Sequence, residues 1–439
     1  MIPKKHLVGV LAAALAAACG GDNKSETTTG EDGSLAVTTD ITSNTTWTTG
    51  NTYTLRNHIY VRNGATLTIQ PGAQVQGLLG SSLVVTTTGK IMAEGTATQP
   101  IVFTSAQPVG FRAAGDWGGV VLLGLAPINV DGGTNKIEGF PASTTGTDYG
   151  GTDATHNCGA IKYARIEFAG FQLAPDNELN GLTVGACGSQ TQLDYIQVHK
   201  GADDGIEFFG GTTDLKHAVI TQPDDDGLDW DYGWTGRVQF LVLQQNGLVG
   251  DKGMEADNNG STPDAMPRSN PTIYGVSLIG SNRDPGTAGK SQGGIHFRRG
   301  TAGKVYNTIV MGFTDRVIDV DAAPSVAQFP NNLFLKNSII YDNANITDTT
   351  TAWPESDNDG GFLEAVQFFD AALSNSAVDP LLGGPYDLTA PNFLPNAGSP
   401  ALTGGATPPS DGFFDPSATF KGAFGTVNWM DGWTAFPAS

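Results

Sequence analysis

Five short phrases of this sequence hold an ionisable side chain between two apolar ones. They are Gly205-Ile206-Glu207-Phe208, Gly227-Leu228-Asp229-Trp230, Gly253-Met254-Glu255-Ala256, Gly294-Ile295-His296-Phe297 and Val317-Ile318-Asp319-Val320. Alternation along a strand sends the apolar pair to one face and the ionisable residue to the other. Four positions before the first three acids stand Asp203, Asp225 and Asp251, and Asp204, Asp224, Asp226 and Asp231 crowd the same zone. If the phrases stack on strands about 4.8 Å apart, the acids form two columns side by side. Like charges facing each other across strands are destabilising. Such columns raise carboxylate pKa values or recruit cations. The plain alternative is an acidic face that water and salt tolerate.

Three chemistries suit the columns. Hard oxygen ligands at turns suit Ca²⁺, with Asp203, Asp204, Glu207, Asp225, Asp226 and Asp229 as the first candidates. Carboxylates also bond sugar hydroxyls, and Tyr232 or Trp234 would offer a flat aromatic face; Asp203, Asp225 and His296 complete this ligand-binding set. Trp230 falls on the inward register. Paired carboxylates can also cleave glycosidic bonds, near 5 Å apart for retention and roughly 6.5–9.5 Å for inversion. Glu207, Asp229 and Glu255 would then be catalytic, with His199, His296, Arg298 and Arg299 close enough in register to assist. Six histidines without paired spacing argue against a zinc site, and no phosphate-binding P-loop is present.

The positioning elements repeat. Leu193-Asp194-Tyr195-Ile196-Gln197-Val198-His199 returns 22 residues later as Leu215-Lys216-His217-Ala218-Val219-Ile220-Thr221, and again from Val238. Further copies begin at Ile161, Ile273, Val305 and Leu335. The offset to the Gly-apolar-acid phrase is 12 both from Leu193 to Gly205 and from Leu215 to Gly227. A coil of about 22 residues is too short for a helix pair and suits short strands joined by turns. Upstream, Ile59 to Gly72, Ser82-Leu83-Val84-Val85, Lys90 to Gly95, Ile101-Val102-Phe103-Thr104 and Trp117 to Gly124 alternate and turn in the same way. These phrases resemble right-handed parallel β-helix proteins of the pectate-lyase-like superfold. The resemblance implies an all-β, right-handed parallel β-helix solenoid with long loop insertions and a C-terminal cap containing a short helix. It covers most of residues 55–345. It implies no single activity, because the superfold hosts lyases, hydrolases, adhesins and structural spikes. Polygalacturonases on this superfold use Asp-Asp and His-Gly motifs. Asp203-Asp204 and Asp225-Asp226 echo the first, and no Gly-His-Gly stands in this sequence.

Composition agrees with a solenoid. Glycine is abundant at 59 of 439 residues and charged residues amount to 15%. The net charge of −21, from 44 acids against 23 bases, argues against nucleic acid as a partner.

Residues 1–18 read as an export signal: Lys4 and Lys5, then an apolar stretch from Leu7 to Ala18 too short to span a bilayer. Leu15-Ala16-Ala17-Ala18-Cys19-Gly20 resembles a bacterial lipobox, which implies a lipidated Cys19. Gly20, rather than Asp, follows the cysteine, which favours the outer membrane or cell surface. Residues 19–48 read as a lipidated tether, poor in large apolar residues. The solenoid is assigned to 49–345, with 126–157 as a long loop, and the cap to 346–439. In the cap, Phe362, Leu363, Val366 and Phe369 suggest one face of a helix. Ala397 to Leu402 and Lys421 to Trp429 resemble closing segments of secreted bacterial β-helix lipoproteins, a group without assigned function. Cys158 and Cys187 lie 29 residues apart, about one coil, and form a disulfide or two buried thiols.

The reading is a surface lipoprotein that binds glycan or another extracellular ligand through an acidic, Ca²⁺-loaded face. A polysaccharide lyase or glycoside hydrolase on the same face is the second reading, and a structural envelope protein the third.

Overall fold

The structure is a computed structural model that describes residues 28–29, 33–141, 143–174, 177–282, 293–314, 316–343 and 359–439. Cys19 and the export signal lie outside the described residues, as does the start of the tether.

The chain is an all-β parallel β-helix solenoid. Each coil adds one strand to a 9-stranded sheet and one or two to a 16-stranded sheet. In the first sheet Leu182–Gly185, Ile206–Phe209, Leu228–Asp231, Lys252–Ala256, Gly293–Phe297 and Ile318–Val320 follow one another in parallel register. Parallel strands buried on one face need a continuous apolar interior. Ile206, Phe208, Leu228, Trp230, Met254, Ile295 and Phe297 supply it and are all buried.

In the larger sheet Ile161, Leu193, Leu215, Val238, Ile273, Val305 and Leu335 align rung upon rung. The early coils use two strands here. Lys90–Glu94 and Ile101–Ser105 both pair with the single strand Gly159–Glu167. From Gly159 onward the two strands are fused, and one residue at the joint is left out of the pairing. That residue is left-handed in every coil: Tyr163, Tyr195, His217, Phe240, Gly275, Asn307 and Asn337 have φ between 47° and 68°. Glycine and asparagine adopt this conformation readily, whereas a bulky residue does so at a cost of roughly 1–3 kcal/mol. The strand phrase read from Leu193 is thus bent at Tyr195.

A glycine column runs beside the smaller sheet. A Cβ on Gly205 would lie 2.7 Å from the Gly227 carbonyl oxygen, one on Gly227 2.6 Å from that of Gly253, and one on Gly253 2.6 Å from that of Gly294. The backbones approach too closely for any side chain, so glycine at these positions is set by packing. Cys158 and Cys187 form a disulfide, with Cα atoms 5.9 Å apart.

Three boundaries differ from the sequence expectation. Leu35–Val37 and Thr45–Trp47 already pair with Thr52–Leu55 and Thr66–Ile69, so coils begin before residue 49 and the tether is shorter. The helix at the far end is Glu364–Phe368. It buries Ala365 and Phe368, while Leu363 and Val366 are more than half exposed, so its apolar face is not the one expected. The remaining tail does not cap the end. It lies along the outer side of the larger sheet, where Phe393, Phe424 and Trp433 cover Val219, Val242, Ile279 and Ile309. Side-chain amides clasp it: Gln197 both donates to and accepts from Ala435, Gln239 does so with Asp415, and Asn307 with Ala406. The last residue, Ser439, accepts from the Gly110 amide.

Candidate functional site

The outward positions of the smaller sheet align as the phrases imply. Glu207, Asp229, Glu255, His296 and Asp319 are consecutive rungs of one column. Two residues further along each strand, the same alternation brings out Asp231 and Asp257. The loop of residues 126–157 folds over this face. Ile137 and Phe140 are buried and dock it, which places Glu138 opposite Glu207.

The result is a cleft of about 550 Å³. Eleven carboxylates line it: Glu207, Asp229, Glu255, Asp231 and Asp257 from the strands, Asp203, Asp204, Asp225 and Asp226 from the turns, and Glu138 and Glu178 from the loops. Among the described residues, two guanidinium groups, Arg298 and Arg299, share its wall.

Burial and mutual repulsion govern protonation here. Burial, then Glu138 and Asp229, push Glu207 well above the usual carboxylate range. Its Oε2 accepts from Asn180 Nδ2 at 2.6 Å. Burial is also the largest cause for Glu138, raised to about 7, and for Asp204, Asp226, Asp229 and Asp231, all raised well above 3.8. Glu255 goes the other way. Burial opposes its ionisation, but His296 at 3.8 Å, Arg298 and Lys252 outweigh that and hold it at about 2. Arg298 bridges Glu255 and Asp257, and Arg299 reaches Asp257 at 2.8 Å.

Among the described residues, four carboxylate triads have oxygens within 4.8 Å of one another. They are Asp203–Asp204–Asp225, Asp204–Glu207–Asp229, Asp225–Asp226–Asp251 and Asp226–Asp229–Glu255. Neighbouring triads share a carboxylate, and Asp229 belongs to two. Its Oδ1 is buried without a hydrogen-bond partner, and so is Oδ1 of Asp231. All-oxygen donors of this kind fit a hard cation.

The structure therefore brings together Asp203, Asp204, Glu207, Asp225, Asp226, Asp229, Glu255 and Tyr232 on one cleft. Three expected residues fall elsewhere. Trp234 is completely buried, stacked on Phe208 at 4.3 Å with its Nε1 donating to the Thr213 carbonyl, and offers no face to a sugar. The left-handed turn at Tyr232 and Gly233 folds it inward. His296 stays in the column but off the cleft wall, 8% exposed among Glu255, Asp319 and Asp321. His199 lies on the other sheet, bonded to Thr221 and to the Pro437 carbonyl, far from any role here. Sequence reasoning missed Glu138, Glu178 and Asp257. Asp257 was reachable by extending the alternation from Glu255. Glu138 sits in Ile137-Glu138-Gly139-Phe140, whose apolar pair in an otherwise polar loop signals a docked segment.

A family described as the pectate-lyase-like β-helix domain matches residues 39–377, most of the chain. The chain belongs to that family. Membership of the pectate-lyase-like family fits a carbohydrate-related role. No curated protein and no solved structure matches the chain.

Proposed function

We propose that the acidic cleft binds Ca²⁺ and, through the ion and its carboxylates, the hydroxyls of an extracellular glycan. The observation that carries this reading is the imbalance of eleven carboxylates against two guanidinium groups, arranged in four triads of cation-binding dimensions. So many buried acids are tolerable only when protonated or neutralised by cations. Tyr232, half-buried on the wall, supplies the aromatic contact that Trp234 does not. The export and lipobox phrases favour a protein tethered to the outer membrane or cell surface by Cys19. Labelled palmitate should enter the wild-type protein in bacterial cells and not Cys19→Ala; equal labelling of both would refute the anchor.

Asp229→Asn separates the cation from its alternatives. Calorimetry should show Ca²⁺ affinity falling by about tenfold or more, since the residue serves two triads. The metal-free variant should melt higher than wild type at neutral pH, because the amide is neutral without the proton that the buried carboxyl must take up on folding. Unchanged Ca²⁺ binding with unchanged melting would sink the cleft reading.

One observation favours hydrolysis as a second reading. Glu207 is held protonated and Glu255 ionised, two coils and thus about 9.6 Å apart in the backbone. Environments that push two carboxyl groups apart in pKa assign an acid and a base, and the spacing is near that of inverting enzymes. Release of reducing ends from a polysaccharide panel, abolished in Glu207→Gln, would decide for it.

A further inference from the structure

The larger sheet holds the tail by one repeated device. The side-chain amide of Gln197 donates to the Ala435 carbonyl and accepts from the Ala435 N–H, and Gln239 and Asn307 treat Asp415 and Ala406 in the same way. Gln222 Nε2 donates to the Leu388 carbonyl, and Gln244 Nε2 to those of Pro385 and Asp387. A carboxamide offers a donor and an acceptor side by side, the same pair that a peptide unit presents.

Gln245 carries such an amide with nothing to clasp. It is completely buried, yet neither its Nε2 nor its Oε1 has a hydrogen-bond partner. A buried amide unbonded at both atoms costs stability, so its retention needs a reason. Gln245 lines a recess of about 520 Å³ where the strands Arg237–Gln244 and Thr272–Ile279 end and the tail passes.

The rest of the lining narrows the ligand. Leu248, 74% exposed, the Tyr386 ring and Leu388 supply apolar surface. Asp387 supplies a charge. The backbone and hydroxyl of Thr389 and the backbone of Ala390 donate to its Oδ1 and hold the carboxyl below its ordinary range, so it is ionised at neutral pH. A neutral ligand would leave that charge unanswered. A cationic group, a peptide unit and an apolar side chain occur together at the start of a polypeptide. We propose that this recess binds the amino-terminal end of a short peptide. Its first peptide unit pairs with the Gln245 amide, its ammonium group with Asp387, and its first side chain with Leu248 and Tyr386. The site is separate from the acidic cleft and needs no cation.

Calorimetry with leucyl-alanyl-alanine and phenylalanyl-alanyl-alanine tests it, each free and N-acetylated, with EDTA present to silence any cation-dependent site. At least one free tripeptide should bind the wild type. Acetylation should weaken it by about threefold, the modest share that an exposed ion pair supplies. Gln245→Leu keeps the volume and removes the amide. It should weaken binding by about tenfold or more while the melting temperature holds or rises, since the unbonded polar group is gone. Leu248→Ser, at an exposed position, leaves the fold alone and should weaken binding as well. The proposal is overturned if neither tripeptide binds, if both variants bind as the wild type does, or if acetylation makes no difference. A higher melting temperature for Gln245→Leu without peptide binding by the wild type overturns it too, because Gln245 is then a packing defect alone.

Discussion

Gly227→Ala should destabilise the solenoid by on the order of 3 kcal/mol, lowering Tm by roughly 3–4 °C in a thermal melt followed by circular dichroism. The added carbon would sit 1.6 Å from Leu243 Cδ1 and 2.6 Å from the Gly253 carbonyl oxygen. Leu243 is fully buried and has nowhere to turn, and the carbonyl belongs to the next coil. Relief requires the coils to separate, which strains the hydrogen bonds from Gly227 N to Lys252 O and from Ile206 N to Gly227 O. Gly384→Ala is the control. Its nearest foreign atom is 3.9 Å away, so its effect should stay within about 0.5 kcal/mol. Equal melting of the two variants would contradict the packing role of the glycine column.

The second large effect couples pH to divalent cations. In EDTA, stability should fall as pH rises from about 4.5 through 7 and beyond. Above the ordinary carboxylate pKa the unfolded chain releases its protons, while the folded cleft keeps them on Glu138, Glu207 and Asp229. The folded state then binds more protons, and stability declines with pH. Glu138, raised to about 7, adds to the decline, but its side chain is exposed and solvent screens its share. Glu255, held at about 2, acts oppositely and only in acid: its contribution is complete above 4.5 and fades toward pH 2. Millimolar Ca²⁺ should reverse the decline. An ion at 100 times its Kd adds about 2.7 kcal/mol. Melts at pH 5, 6, 7 and 8, with EDTA and with Ca²⁺, give the comparison. A metal-free protein that gains stability toward pH 8 would refute the protonated cleft.

The fold and the acid column were legible for one physical reason. A solenoid converts spacing along the chain into vertical neighbours, so the alternation in Ile206-Glu207-Phe208 and Leu228-Asp229-Trp230 determined both core and outer face. What escaped depends on segments outside that repeat. Glu138 arrives from an insertion, and no spacing rule connects it to Glu207. Trp234 was expected to offer a flat aromatic face, yet two consecutive left-handed residues, Tyr232 and Gly233, turn the chain just before it. The left-handed joint of the larger sheet was hidden because Tyr195, His217 and Phe240 read as ordinary strand residues. Their backbone conformation shows only when seven coils are aligned. The tail lacks periodicity of its own, so its apolar residues carried no address.

That tail has a bearing on biosynthesis. A ribosome delivers the coils from the first to the last, and each can dock on its predecessor as it appears. The greasy flank bearing Val219, Val242, Ile279 and Ile309 stays bare until Phe393, Phe424 and Trp433 have been made. Assembly is therefore complete only once that later segment has docked, and a chain cut before Phe393 would be stacked but sticky.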